Sequence, residues 1–401
     1  METTLFKSEP EVSSLSRSLR LCAYLNDAAS EAPVRRAGEE WGGSVEVRRG
    51  DVRTATRDLQ KGRSPDVLLV DVGGIELPVS AMEALAAVCE PNVRVIAVGD
   101  TNDIGLYRQL RQLGVAEYLF KPLKADLVAA AVRGEGGTTA DSPGRRGNLI
   151  AVYGARGGVG TSTLAVNMAS YLADVERRRV ALVDLDLHAG TVAFMLNLPP
   201  GRGLREALES PERVDEVFLS RALHAASERL DVLACEESMA DRVETRTDAL
   251  LALLDKLQHR YHYVVVDVPR ALAPSGRAVI EKAGLRLLVC DGSLAAARDV
   301  VRLRAAFEGV GHKTLTVLNR KGAPGELASA DLHKTLGGPP DHTIAWQPKP
   351  LAQASALGLI AVGKCRAFRS SVAALAQAVS GRPAVRPGLL RRVLGNRGAA
   401  A

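Results

Sequence analysis

Short apolar runs alternate along the first third of the chain with stretches in which apolar residues recur at helical spacing. Five of the runs predict strands, at residues 19–24, 45–47, 67–70, 93–98 and 117–120. Helical patterns lie between them, for instance at 82–88 and 106–113. Because regular alternation of strands and helices is typical of a parallel sheet with helices on both faces, the pattern predicts an α/β domain over residues 1–134.

The same alternation resumes at residue 148. The predicted strands of this second series are 149–153, 180–183, 263–266, 285–290 and 315–318. Residues 135–147, between the two series, are rich in Gly, Ser, Thr and Pro, a composition that predicts a flexible linker. The predicted fold class is therefore α/β with two doubly wound parallel-sheet domains, at 1–134 and 148–381, followed by a tail at 382–401.

A glycine-rich stretch, Gly154–Thr163, joins the first strand of the second domain to a helical pattern. A strand, a glycine-rich turn and a helix together form an arrangement that binds phosphate through backbone amides. The stretch departs from the standard phosphate loop, because Ala155 replaces its first glycine and Thr161 replaces its lysine, whereas Ser162 stands where that loop binds Mg²⁺. Taken alone, it is either a nucleotide-binding loop or a tight structural turn.

Aspartates follow several of the predicted strands. They are Asp184, Asp186, Asp267 and Asp291. In an open parallel sheet, ligands bind beyond the carboxyl ends of the strands. Asp267 is placed to hold Mg²⁺ through water, and Asp184 and Asp186 to face the metal and an attacking water. The alternative is that each aspartate ends a strand or caps a helix, and this is the interpretation for Asp291.

The loop and these aspartates together resemble the MinD/ParA group of ATPases, whose loop reads K-G-G-x-G-K-[ST]. The resemblance implies ATP and Mg²⁺ as cofactors, with Mg²⁺ at Ser162, Asp184 and Asp267. It implies that Asp186 positions water and that Arg156 replaces a lysine that reaches across a nucleotide-sandwich homodimer. The implied nucleotide-binding residues are Gly157, Gly158, Val159, Gly160, Thr161, Ser162, Thr163 and, at the adenine, Asn319.

The first domain resembles a response-regulator receiver. Asp71 matches its phosphoacceptor, and Lys121 with Pro122 matches its Lys-Pro pair. The chain departs from that pattern at 26–27, where Asn-Asp replaces two acidic residues, and at 99–100, where Gly-Asp replaces a Thr or Ser. Since phosphoryl transfer to aspartate needs a well-held Mg²⁺, the departures disfavour phosphorylation and favour a pseudo-receiver with an Asp71–Lys121 ion pair.

The two-domain layout, together with the segments Gly203–Leu208 and Pro211–Asp215, resembles the CpaE/TadZ branch of type IVb (Flp/Tad) pilus assembly proteins. This resemblance implies a protein that localises pilus or secretion machinery, often at a cell pole. Loss of the loop lysine weakens transition-state stabilisation, so we expect ATP binding with slow or negligible hydrolysis. The alternatives are an actively cycling positioning ATPase, a nucleotide-free scaffold and a two-component output protein.

Composition adds limits on location and partners. The five cysteines are far apart, so neither a disulfide framework nor a zinc site is expected. No signal peptide or membrane-spanning run is evident, which predicts a cytoplasmic protein, at most peripheral to the inner membrane or a pole. Five arginines of the tail account for most of the net charge of +6. We expect a solvated tail; weak contact with acidic lipid or a partner is the alternative, and nucleic acid is disfavoured.

Overall fold

Two α/β units make up the chain, Met1–Gly144 and Arg145–Ala401. The computed structural model describes residues 20–380 except 42–43, 63, 92, 135–145, 200, 242, 244, 271–272 and 311. The boundary between the units lies inside the predicted linker. Most of that linker and all of the predicted basic tail lie outside the described residues.

The first unit contains a five-stranded parallel sheet with the order β2-β1-β3-β4-β5. Its strands are β1 (Arg20–Leu25), β2 (Ser44–Arg49), β3 (Val67–Asp71), β4 (Arg94–Gly99) and β5 (Glu117–Phe120). Its helices are α1 (Glu31–Trp41), α2 (Val52–Leu59), α3 (Pro78–Ala86), α4 (Ile104–Gln112) and α5 (Ala125–Arg133). Separate apolar cores lie on the two faces of the sheet, one with α2, α3 and α4 and the other with α1 and α5. The predicted α/β fold with a parallel sheet is confirmed.

The second unit contains an eight-stranded sheet with the order β13-β12-β11-β6-β10-β7-β9-β8. All neighbouring strands are parallel except β8 and β9. The strands are β6 (Asn148–Gly154), β7 (Val180–Asp184), β8 (His224–Ala225), β9 (Leu230–Leu233), β10 (Tyr263–Val268), β11 (Leu285–Cys290), β12 (Lys313–Lys321) and β13 (His342–Ala345).

Helices cover both faces of this second sheet. They are α6 (Thr161–Ser170), α7 (Val192–Met195), α8 (Gly203–Glu209), α9 (Glu216–Ala222), α10 (Thr247–Arg260), α11 (Pro274–Lys282), α12 (Leu294–Ala306), α13 (Ser329–Leu336), α14 (Pro348–Ala356), α15 (Ala361–Lys364) and α16 (Arg366–Ser380). A π-helical turn, Tyr171–Val175, extends α6. Within the described residues, the structure has no helix with the length and apolarity needed to span a bilayer.

The candidate site lies at the carboxyl ends of the central strands β6, β10 and β7. The whole of β7 and β10 is buried, as expected where helices cover both faces of parallel strands. Asp267 on β10 pairs in register with Asp184 on β7 and with Val152 on β6. The glycine-rich stretch, which begins at the last residue of β6, therefore starts beside Asp267, and Asp184 lies one strand further away.

Candidate functional site

The loop between β6 and α6 needs glycine at two positions. Gly158 has φ 77° and Gly160 has φ 92°, in the left-handed region that other residues rarely adopt. A Cβ atom at Gly160 would also collide with Nδ2 of Asn319. Arg156, Gly157 and Gly158 are exposed, and α6 begins directly afterwards at Thr161. An open backbone before a helix N-terminus is a favourable position for a phosphate group.

Asn319, near the carboxyl end of β12, holds this loop. Its Nδ2 donates a hydrogen bond to the Val159 carbonyl at 2.8 Å, and its Oδ1 accepts one from the Arg320 amide at 2.9 Å. The side chain is buried, at 7% exposure. As placed, Asn319 positions the loop backbone, a role that the motif comparison did not suggest. Its contact with adenine stays a prediction.

Two buried carboxylates and one hydroxyl lie below the loop. Ser162, in the first turn of α6, lies close enough to Asp267 for its hydroxyl to lower the pKa of that carboxyl group. Burial and the neighbouring Asp184 carboxylate together raise the pKa of Asp267 to about 7; burial also raises the pKa of Asp184, to about 6. Hydroxyl and carboxylate oxygens are the ligand types that Mg²⁺ prefers. The structure thus brings together Ser162, Asp184 and Asp267, the three predicted metal residues.

Backbone amides fix the two aspartates that follow β7. Asp184 accepts hydrogen bonds from the Asp186 amide and the Val192 amide, both at 3.1 Å. Asp186 accepts one from the Ala189 amide at 2.9 Å and is half-buried. Within the described residues, no cluster of three or more His, Cys, Asp and Glu side chains is arranged to hold a metal. A cation here would therefore need Ser162 and water or phosphate oxygens as additional ligands.

The raised pKa values predict how the stability of the protein without nucleotide depends on pH. At these two carboxyl groups the folded protein binds more protons than the unfolded chain between about pH 4 and pH 7, so their contribution to stability falls as the pH rises through this range. Asp267→Asn removes one of the two charges. We expect its melting temperature to exceed that of the wild type by a margin that grows from pH 5 to pH 8, as measured by scanning calorimetry without Mg²⁺ or nucleotide. Equal pH dependence in the two proteins would contradict this prediction.

Arg156 forms a contact that the sequence did not reveal. Its Nη1 lies 3.1 Å from Oδ2 of Asp299 on α12, and Asp299 is only 13% exposed. Arg270 and Arg302 approach the same carboxylate, at 3.9 and 3.8 Å. No motif marks Asp299, because it lies inside a helix and 143 residues from Arg156. As placed, Arg156 is held by Asp299, and its contact with phosphate stays a prediction.

A cavity of about 320 Å³ lies beside this ion-pair cluster. Tyr153, Gly154, Ala155, Arg270, Asp299 and Arg302 are among its lining residues. The cavity therefore shares a wall with the first residues of the loop.

The remaining predicted strand-end residue, Asp291, serves as a local cap. Its carboxylate accepts hydrogen bonds from the amide and the hydroxyl of Ser293, at 3.1 and 2.6 Å. Ser293 in turn caps α12. This geometry agrees with the structural interpretation of Asp291.

Three aspartates of the first unit surround the ammonium group of Lys121. The Nζ atom of Lys121 lies 2.7 Å from Asp71, 2.8 Å from Asp27 and 3.5 Å from Asp100. Asp71 is fully buried and also accepts a hydrogen bond from the Gly73 amide at 2.8 Å. Burial alone would lower the pKa of Lys121, but hydrogen bonds to Asp27 and Asp71 raise it. The expected Asp71–Lys121 ion pair is present, and Asp100 adds a carboxylate that the motif comparison had not placed there.

The second unit is similar in sequence to known proteins. Residues 147–303 match the family model described as an AAA domain. The antiactivator FleN of Pseudomonas aeruginosa is 31% identical over 149 residues, which are 36% of this chain and 50% of FleN. A tyrosine-protein kinase ptk of Acinetobacter johnsonii is 26% identical over 170 residues, 42% of this chain and 22% of the kinase. The chain thus spans half or less of the length of these two relatives.

Solved structures show the fold of this unit. A ParA family ATPase from Chlorobium tepidum is 20% identical with a TM-score of 0.54, over 58% of this chain and 98% of that protein. The septum site-determining protein MinD from Pyrococcus horikoshii, complexed with Mg-ADP, is 18% identical with a TM-score of 0.51, over 58% and 95%. A pilus assembly protein CpaE from Caulobacter crescentus matches 28% of this chain and 90% of its own at 31% identity, but its TM-score of 0.27 does not establish a shared fold.

Proposed function

We propose that this chain, whose second unit is a P-loop ATPase domain of the MinD/ParA type, binds ATP with Mg²⁺ and hydrolyses it slowly or not at all. The observation that carries the proposal is the convergence of Ser162, Asp267 and Asp184 at the foot of the glycine-rich loop. Both carboxyl groups are buried, and the Asp184 carboxylate raises the pKa of Asp267, so a cation placed between these carboxylates and the phosphates of a nucleotide would relieve the repulsion.

The residues present fit a magnesium ion. Ser162, Asp267 and Asp184 would hold it, directly or through water, and the ion would supply positive charge beside the phosphates. The loop from Gly157 to Thr163 would hold the phosphates through its backbone. Asp186, fixed by the Ala189 amide, would accept a hydrogen bond from the attacking water.

Two features support slow turnover. Thr161 stands in place of the loop lysine, so one cation that would stabilise the transition state is missing. Arg156, the candidate replacement, is held by Asp299, and an ion pair must open before the guanidinium reaches phosphate.

A thermal-shift measurement tests binding. Millimolar ATP with Mg²⁺ is expected to raise the melting temperature of the wild type, because a ligand that binds only the folded state stabilises it. Asp267→Asn should lose most of this increase in melting temperature. Asp291→Asn, which makes the same change directly after β11, is the control and should retain it. An unchanged wild-type melting temperature would favour the nucleotide-free scaffold.

A phosphate-release assay separates slow turnover from a cycling ATPase. We expect at most about six turnovers per minute, since removal of a single transition-state donor lowers kcat by about 10²–10³-fold and common enzymes turn over about ten times per second. Fast release that Asp186→Ala abolishes would instead show an active positioning ATPase.

The cellular role is proposed from the CpaE/TadZ resemblance of the two-unit sequence. The protein would act as a nucleotide-dependent homodimer that localises type IVb pilus or secretion machinery, at a pole and peripheral to the inner membrane. Deletion of the gene should then abolish surface pili, and a fluorescent fusion should form foci that Asp267→Asn disperses. Normal piliation in the deletion strain would contradict the role.

Labelling of the wild type but not of Asp71→Asn by a phosphodonor would favour a two-component output protein.

A further inference from the structure

The turn that follows β7 is folded around the Asp184 carboxylate. Asp184 accepts hydrogen bonds from the amides of Asp186 and Val192, which lie on the two sides of this turn. Gly190 fits between them, because a Cβ atom there would lie 2.5 Å from Oδ2 of Asp184. The path of the turn therefore sets the position of the Asp184 and Asp186 side chains.

A second segment, residues 235–241, is attached to the middle of this turn. The segment comes shortly after β9, the neighbour of β7 in the sheet. The Glu237 amide donates to the Leu187 carbonyl at 2.8 Å, and Nε2 of His188 lies 3.0 Å from the carbonyl oxygen of Asp241. Because the segment contacts the turn at two points, a displacement of the segment would move the turn with it.

Arg205 holds this segment through its carboxylates. Its Nη1 atom donates to Oε2 of Glu237 and lies 3.7 Å from Oδ2 of Asp241, and its Nε donates to Glu209 at 2.8 Å. The Glu237 side chain is only 5% exposed, whereas that of Glu209 is 50% exposed. A buried carboxylate that loses its cation is costly. Without Arg205, the Glu237 side chain would therefore turn towards water and shift the segment.

Arg205 itself stands on a closely packed helix. It belongs to α8, in which Leu204 and Leu208 are fully buried. A Cβ atom at Gly203 would lie 2.4 Å from Cβ of Ala222, so α8 lies directly against α9. A helix packed in this way supports a side chain more precisely than a loop does.

We propose that Arg205 is a positioning residue for the magnesium site. Through Glu237, it holds the turn that carries Asp184 and Asp186 in the arrangement that Mg²⁺ and the attacking water require. The proposal rests on the proposed function, since the metal must bind beside the phosphates of a bound nucleotide. The competing interpretation is that Arg205 only stabilises the surface between α8 and residues 235–241.

Calorimetric titration with ATP in the presence of Mg²⁺, and again in the presence of EDTA, separates these interpretations. Replacing a group that orients metal ligands typically lowers metal affinity or activity by about 10–100-fold. Arg205→Met is therefore expected to weaken ATP–Mg²⁺ binding by about tenfold or more, and metal-free ATP binding by less than about twofold. The matched control is Arg277→Met on α11, because Nε of Arg277 also lies 2.8 Å from a glutamate four residues further on. It should leave both affinities unchanged.

Equal ATP–Mg²⁺ affinity in Arg205→Met and the wild type, or an equal loss with and without the metal, would overturn the positioning role while leaving the proposed function standing. Failure of the wild type to bind ATP under either condition would overturn both. If Arg205→Met does not fold, Glu237→Gln is the second variant. It retains an oxygen that accepts from Arg205, so it should show a smaller loss that again depends on Mg²⁺, and a loss independent of Mg²⁺ would overturn the role.

Hydrogen exchange of the full-length protein without nucleotide gives an independent readout. In Arg205→Met, peptides that cover residues 184–192 should exchange faster than in the wild type, because the turn is less firmly held. In Glu209→Ala, which removes only the exposed partner of Arg205, these peptides should exchange as in the wild type. Unchanged exchange in Arg205→Met would overturn the positioning role.

Discussion

Replacing Thr161 by lysine is expected to tighten the binding of ATP–Mg²⁺ by about ten- to a hundredfold. Thr161 is the first residue of α6. Its hydroxyl lies next to Gly154, and a Cβ atom added at Gly154 would be 2.5 Å from that hydroxyl oxygen. A lysine at residue 161 would occupy the position of the lysine of the standard phosphate loop, whose ammonium group contacts phosphate. A charge-assisted hydrogen bond to phosphate contributes about 1.5–3 kcal/mol, which corresponds to that change in affinity. Calorimetric titration measures it.

The matched control is Thr161→Gln, which lengthens the side chain without adding charge. It should tighten the binding of ATP–Mg²⁺ by at most about tenfold, less than the lysine, because a neutral hydrogen bond contributes only about 0.5–1.5 kcal/mol. Equal affinities of the lysine and glutamine variants would show that the loop does not hold phosphate near residue 161.

Lys121→Met is expected to destabilise the first unit by about 3 kcal/mol or more. The substitution removes the cation from between Asp71, Asp27 and Asp100 and leaves Asp71 charged and fully buried. Breaking a buried ion pair from one side carries this penalty because the remaining charge is uncompensated. Hydrogen exchange of the full-length protein, followed by mass spectrometry of peptides from residues 20–134, measures the loss of protection.

Two further variants separate this effect from a general loss of surface charge. Arg35→Met breaks the exposed Arg35–Glu31 pair within α1 and should change protection by less than about 1 kcal/mol. The double variant Lys121→Met with Asp71→Asn removes both charges of this pair and should recover much of the lost stability. If Lys121→Met alone exchanges like Arg35→Met, the charges around Lys121 do not stabilise the unit.

The sequence predicted the strands of both sheets that contain an apolar run, including β2 and β5, of which no residue is fully buried. The runs at 117–120 and 285–290 are strands with those bounds, and the other predicted strands differ at their ends by up to three residues. Three strands were missed. In β8 and β13 a few polar or small residues are paired at the sheet edges, and in β9 Asp231 interrupts the apolar run. Tertiary pairing decides such short segments, and their local pattern does not mark them.

The residues of the candidate site that lie at or next to the ends of strands were predictable. Ser162, Asp184 and Asp267 are close together because parallel neighbouring strands end at one edge, and the sequence shows each strand end. Asp299 and the loop-holding role of Asn319 were not predictable. Both depend on side chains that meet across 143 and 160 residues of sequence, and the distance along the chain carries no information about such contacts.

The amide of Asn319 joins two segments that evolution would otherwise be free to alter separately. Any side chain at residue 160 would displace Asn319, and any shortening of residue 319 would release the Val159 carbonyl. Among homologous sequences, we therefore expect positions 160 and 319 to covary, with glycine at 160 accompanied by asparagine at 319. Where one of the two residues is replaced, we expect the other to vary as well.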